Sequence, residues 1–135
     1  MIAVRDSAIL LRRRLREAQN VMATILCIDD EPDGLATRKL LLESEGYQVI
    51  AAGSGQEGLR LFKTNKIDLV VLDYWMSGMN GVAVASEMKS QNPSVPVIVL
   101  SGFAELPGEA VGIADRWILK GRATHDLLDA IKALI

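Results

Sequence analysis

The feature that most constrains this chain is a fivefold alternation of short apolar runs with helix-patterned segments. Residues 24–28, 47–51, 68–73, 96–100 and 117–119 are predominantly apolar stretches of strand length, mostly bounded by Gly, Pro, Asp or Ser. Strands without polar alternation must be covered on both faces. The intervening helices supply that cover, so the pattern predicts a parallel, doubly wound α/β sheet with right-handed crossovers.

The helices can be placed from their boundaries. Asp29-Asp30-Glu31 before Pro32 favours a helix start, and that helix runs to about Glu45 with Leu35, Ala36, Leu41 and Leu42 on its buried side. Gly46 ends it. Ser54, with Glu57 three residues later, is a capping box opening a second helix whose Leu59 and Phe62 face inward. Val82, Ala83, Ala85 and Met88 belong to a third, which stops before Pro93. Between Ser101 and Lys120, Pro107, Gly108 and Gly112 leave only a short or irregular helix. Thr124 is expected to cap the last helix, with Leu127, Leu128, Ile131 and Leu134 as its stripe.

Residues 24–135 therefore read as one domain, and residues 1–23 as a basic extension or leader helix. The extension carries Arg5, Arg12, Arg13, Arg14 and Arg16 against Asp6 and Glu17, with Ala8, Leu11, Leu15, Ala18 and Met22 at helical spacing. A docking or dimerising helix, a membrane-surface helix and a translated leader before a start at Met22 all fit. The leader, or a frayed helix without function, is the expectation. Of the 135 residues, 50% are hydrophobic and 24% charged, enough for a single core. A net charge of −2 argues against direct nucleic-acid binding, and no apolar run approaches the roughly 18 residues of a membrane span. Cys27, the one cysteine, lies inside an apolar run and reads as a buried small hydrophobe in a reducing, cytoplasmic setting.

Polar residues recur where the strands end. Asp29 and Asp30 follow the first, Asp73 ends the third, Ser101 follows the fourth and Lys120 the fifth. With strand order 2-1-3-4-5, the first and third strands flank the reversal of winding, where such sheets bind ligands. Three carboxylates there repel one another unless a cation joins them, and all-oxygen ligation suits Mg²⁺. A carboxylate beside that ion, with a lysine and a hydroxyl opposite, can attack phosphorus while the other groups neutralise its oxygens.

These residues, with Asp73 to Gly81 in a D-x-x-M-x-x-M-x-G setting, resemble the receiver domain of two-component response regulators. The resemblance covers all but the N-terminal extension and implies a flavodoxin-like (βα)5 fold. It implies Asp73 as phosphoacceptor, with Mg²⁺ held by Asp30, Asp73 and the backbone carbonyl of Trp75, and Asp29 helping through water. Ser101, followed by the small Gly102, and Lys120 would bind the phosphoryl group, and Trp117 would be the aromatic that moves with it. The implied donor is a histidine kinase or histidine phosphotransfer protein; the implied output is a downstream protein target, with a homodimer as a further option. No membrane partner is implied.

This chain departs from the family pattern at Gly121, where Pro is usual, and at Ser77, where Pro commonly follows the Met. Trp75 and Phe103, two residues beyond Asp73 and Ser101, can neither orient a water nor admit one easily, so slow autodephosphorylation is expected. The expected function is a stand-alone receiver, a phosphoacceptor switch rather than an enzyme. A degenerate receiver serving as a constitutive binding module is the alternative. An Asp-nucleophile Mg²⁺ phosphohydrolase fits less well, since such enzymes often carry a second acid where Trp75 stands.

Overall fold

The computed structural model describes residues 4–103, 105, 107–121 and 123–135. The elements run α1 (Val4–Gln19), β1 (Thr24–Ile28), α2 (Pro32–Ser44), β2 (Gln48–Ala52), α3 (Gly55–Thr64), β3 (Leu69–Asp73), β4 (Trp75–Met76) and β5 (Met79–Asn80). They continue with α4 (Gly81–Gln91), β6 (Val97–Ser101), a 3-10 turn (Gly108–Ala110), β7 (Arg116–Leu119) and α5 (Ala123–Leu134). Five parallel strands form one sheet in the order β2-β1-β3-β6-β7. Setting aside the two-residue hairpin β4–β5, this is the expected order 2-1-3-4-5.

Every residue of β3 and β6 is buried, because helices cover both faces. Side-chain parity divides the core. Ile25, Cys27, Leu69, Val71, Ile98 and Leu100 face α2 and α5, against Leu42, Leu127 and Ile131. Leu26, Ile28, Val70, Leu72, Val97 and Val99 face α3 and α4, against Phe62, Val84 and Met88. Each fully buried Leu, Ile or Met adds roughly 1.5–3 kcal/mol relative to exposure, so the two layers hold the strand ends rigidly in register. Burial also raises the Cys27 thiol to about 12, as expected of an inert hydrophobe.

Ser54 Oγ accepts from Glu57 N–H (3.1 Å), while Glu57 Oε2 accepts from Gly53 N–H (3.2 Å), one residue before the N-cap. Three details differ from expectation. Ala36 is exposed, because the inward side of α2 runs through Leu35, Arg38 and Leu42 instead. Thr124 lies inside α5, which begins at Ala123. Strand limits at β2, β3, β6 and β7 move by one residue, as hydrogen-bonded ends commonly do. Between Ser101 and β7 the described residues hold only the 3-10 turn, in keeping with their Pro and Gly content.

The N-terminal segment packs in a way its periodicity does not reveal. Residues 4–19 form one continuous helix, and its apolar stripe points outward: Leu11 is 59% and Leu15 51% exposed. Met1 lies outside the described residues. The basic side meets the domain. Arg13 donates from Nε to Ile135 O (2.7 Å) and from Nη2 to Lys132 O (2.8 Å), Arg12 donates to Ser94 O (2.8 Å), and Arg16 pairs with Asp68 at 3.6 Å. The reason lies in what this end of the domain offers. The last carbonyls of α5, the loop before β6 and the carboxylate before β3 are acceptors, and guanidinium groups satisfy them better than leucines.

Candidate functional site

The carboxyl ends of β1, β3, β6 and β7 converge on one crevice. Asp29 and Asp30 leave β1, Asp73 ends β3, and Ser101 ends β6 opposite Leu119 of β7, which brings Lys120 alongside. Lys120 N–H donates to Ser101 O (2.7 Å), and Lys120 Nζ sits 2.7 Å from Asp73 Oδ2. One oxygen from each of Asp29, Asp30 and Asp73 lies within 4.8 Å of the others. Asp29 (1% exposed) and Asp73 (5%) are buried, while Asp30 is open to solvent. Among the described residues no buried side-chain nitrogen or oxygen lacks a partner.

Electrostatics follow from these positions. Burial pushes the Asp73 carboxyl above its ordinary range; the Lys120 ammonium pulls it back, and the nearby Asp29 charge adds to the rise. Asp30 goes the other way. Its Oδ2 accepts from Ser77 N–H (2.8 Å) and Ser77 Oγ–H (2.9 Å), which lowers its pKa. The oxygen-only donor set, with one member facing water, suits Mg²⁺, a hard dication that usually retains several waters. These residues fit that ion.

Ser101 (1% exposed) accepts through Oγ from Phe103 N–H at 2.9 Å, which leaves its own proton available to a ligand. Gly102 is exposed beside it, with open space where a Cβ would project. Trp117 stands outside the acid cluster. Its ring meets Tyr74 edge-on at 5.1 Å, and its Nε1–H donates to Phe103 O (2.9 Å). Trp75 (74% exposed) and Phe103 (67%), two residues beyond Asp73 and Ser101, are open to solvent.

Residues 25–132 match the response regulator receiver domain family. The chain belongs to that family. Over 85 residues it is 41% identical to the transcriptional regulatory protein GlrR of Escherichia coli, covering 63% of this chain and 19% of GlrR. The transcriptional regulatory protein PrrA of Mycobacterium tuberculosis is 32% identical over 114 residues, which is 82% of this chain and 49% of PrrA. The chain thus spans between a fifth and a half of these relatives. The response regulator TrrA of Thermotoga maritima, solved in complex with Mg²⁺-BeF, matches with a TM-score of 0.80 at 31% identity, over 84% of this chain and 100% of TrrA. A second structure holds TrrA in complex with the histidine kinase ThkA.

Two residues of this receiver's crevice were not singled out by sequence reasoning for what they contact. Arg38, on the inward side of α2, brings Nη1 and Nη2 each to 3.4 Å from Asp29 Oδ2. Its signal was available: a charged residue at helical spacing between Leu35 and Leu42, where the stripe calls for a hydrophobe. Ser77 stands where the family pattern has a proline, yet its N–H and hydroxyl are the two groups that proline lacks, and both hold Asp30. At the other departure, Gly121 adopts φ +93°, a left-handed conformation closed to proline.

Proposed function

We propose that this receiver is a phosphorylation switch in which Asp73 accepts a phosphoryl group from a histidine kinase or histidine phosphotransfer protein and the altered crevice is read by a protein partner. The observation that carries this reading is the Asp73 carboxylate at the sheet mouth, 2.7 Å from Lys120 Nζ, with Asp29 and Asp30 oxygens within 4.8 Å. In the transfer, an Asp73 oxygen forms the new P–O bond as the donor's P–N bond breaks, and the donor imidazole leaves with the electron pair. Mg²⁺, held by Asp30 and Asp73 with the Trp75 carbonyl and with Asp29 through water, would neutralise the phosphoryl oxygens. Lys120 supplies a second positive charge, and the Ser101 hydroxyl donates to a phosphoryl oxygen.

Those last two contacts draw the β6 and β7 ends toward Asp73. Phe103 and Trp117 move with them, because the Phe103 N–H rests on Ser101 Oγ and the Trp117 Nε1–H on Phe103 O. The exposed aromatic side chains of Trp75 and Phe103 support contact with a protein, since exposed apolar groups beside a switch serve association. The same side chains limit water attack, so the aspartyl phosphate is long-lived and turnover is not the purpose. The setting is cytoplasmic phosphorelay signalling.

Intact mass after incubation with Mg²⁺ and acetyl phosphate tests the acceptor: a gain of about 80 Da, one phosphoryl group, absent in Asp73→Asn, is expected. Absence of the adduct under conditions where Mg²⁺ binds overturns the reading in favour of a constitutive binding module. The phosphoryl half-life should shorten in the Trp75→Asn, Phe103→Ala double variant, and an unchanged half-life removes those side chains from lifetime control.

A further inference from the structure

Each acid of the cluster already has a protein partner: Asp73 has Lys120, Asp30 has Ser77, and Asp29 has Arg38. Lys120 belongs to the phosphoryl site and Ser77 is neutral. Arg38 is different. It is a permanent cation, its side chain is only 12% exposed, and it reaches the crevice from α2 beneath Asp29.

We propose that Arg38 sets the metal affinity of the site, acting as a fixed counter-charge on Asp29 that weakens uptake of Mg²⁺ and keeps the three acids together without it. The inference rests on the metal-binding reading above. With Asp29, Asp30 and Asp73 ionised, Arg38 and Lys120 reduce the cluster from three negative charges to one. Without Arg38 it would hold two, balanced by a dication.

Geometry supports a Coulombic role over a saturated hydrogen-bond pair. Both terminal nitrogens approach the same oxygen, Oδ2, at 3.4 Å, longer than the roughly 2.7–2.9 Å of a strong charge-assisted bond. The other oxygen, Oδ1, accepts the Glu31 N–H at 3.0 Å, which orients the carboxylate independently of Arg38. Arg38 can therefore be neutralised without releasing Asp29. Its charge, partly shielded from water, is screened less than a surface charge. Arg38 is a positioning and affinity-setting residue, not a catalytic one.

The test is Mg²⁺ titration of the full chain, followed by tryptophan fluorescence and by calorimetry. Arg38→Leu suits the apolar stripe, Arg38→Gln keeps polarity without charge, and Arg38→Lys keeps charge without the fork. Removing one unit charge near a dication at an effective dielectric of about 20–40 predicts Mg²⁺ binding tighter by at least about tenfold in the Leu and Gln variants. The Lys variant should stay within about threefold of wild type. In EDTA the Leu and Gln variants should melt below wild type, and Mg²⁺ should raise their melting temperature by more than it raises that of wild type.

The Gln variant carries the test if the Leu variant does not fold. Equal or weaker Mg²⁺ binding in the neutral variants, with wild type binding normally, overturns this inference alone. No Mg²⁺ uptake by wild type or any variant overturns the metal-binding reading together with it.

Discussion

Gly81 joins the end of the acceptor strand to α4, and replacing it by alanine is the sharpest test of how tightly the crevice is built. A Cβ at this position would press into the carbonyl oxygen of Asp73 and lie 2.7 Å from Leu72 Cδ1 and 2.9 Å from Tyr74 Cα. Two of the three neighbours are backbone atoms and cannot rotate away. The Gly81 N–H also donates to Tyr74 O (2.7 Å), so the turn cannot swing outward without losing that bond. Overpacking of this kind costs about 1–3 kcal/mol, and rigid backbone on two sides puts Gly81 near the top of that range. Against it stands a gain of about 0.5–1 kcal/mol from removing a glycine at the first helical position. Sterics win. The net loss is about 2 kcal/mol, or a fall in Tm of about 8 °C for a domain of this size.

Thermal unfolding followed by circular dichroism measures it, with Gly53→Ala as control. Nothing lies within 4 Å of a Cβ at Gly53, so the control should stay within about 0.5 kcal/mol of wild type. Because the oxygen pressed upon is Asp73's own, acetyl phosphate labelling of Gly81→Ala should also slow. A Gly81→Ala protein melting within about 2 °C of wild type would refute the claim that backbone at the strand end cannot relax.

Asp73→Asn gives the pH dependence. The folded-state pKa of Asp73 is raised above its ordinary 3.8, so its contribution to stability is full below that value and is lost as pH rises through the folded pKa. The ionised group thus burdens the fold at neutral pH. In EDTA at pH 7 the Asn variant should melt above wild type, and the gap should close as pH falls toward 3.8; a gap that widens on acidification refutes the sign. Lys89 Nζ lies 2.6 Å from Asp115 Oδ2 and 3.0 Å from Val95 O, clamping α4 to the edges of β6 and β7. Lys89→Met should cost about 2 kcal/mol in urea unfolding, less than a fully buried pair because both side chains keep some solvent contact. Arg13→Ala removes two donors from the end of α5 and should cost about 1 kcal/mol, with faster amide exchange in the last turn of α5 as its local signature.

The sheet was legible because its signal is redundant. Each strand is a short apolar run, and four of the five end on a polar group with chemistry, so Asp29, Asp30, Asp73, Ser101 and Lys120 could be assembled from order alone. Orientation was less legible. The stripe of α1 marked a helix with Leu11 and Leu15 on one face, but hydrophobic periodicity does not say which face the receiving surface needs. That surface is rich in carbonyls and carries Asp68, so Arg12, Arg13 and Arg16 turned inward. Arg38 was missed for a related reason, since a cation within an apolar stripe has meaning only once Asp29 is known to lie above it. Ser77 was legible as a missing proline, while its hold on Asp30 depends on the fold of the β4–β5 hairpin, too short to leave a pattern.

The single thiol has a consequence for measurement. Cys27 lies in the strand between β2 and β3, has no exposed surface, and is held protonated by burial. A thiol reagent can reach it only when the sheet itself comes apart. Its modification rate therefore serves as a clock for global opening, ticking once per molecule. Anything that binds the crevice, metal or phosphoryl mimic, must slow that clock by the factor its occupancy adds to stability.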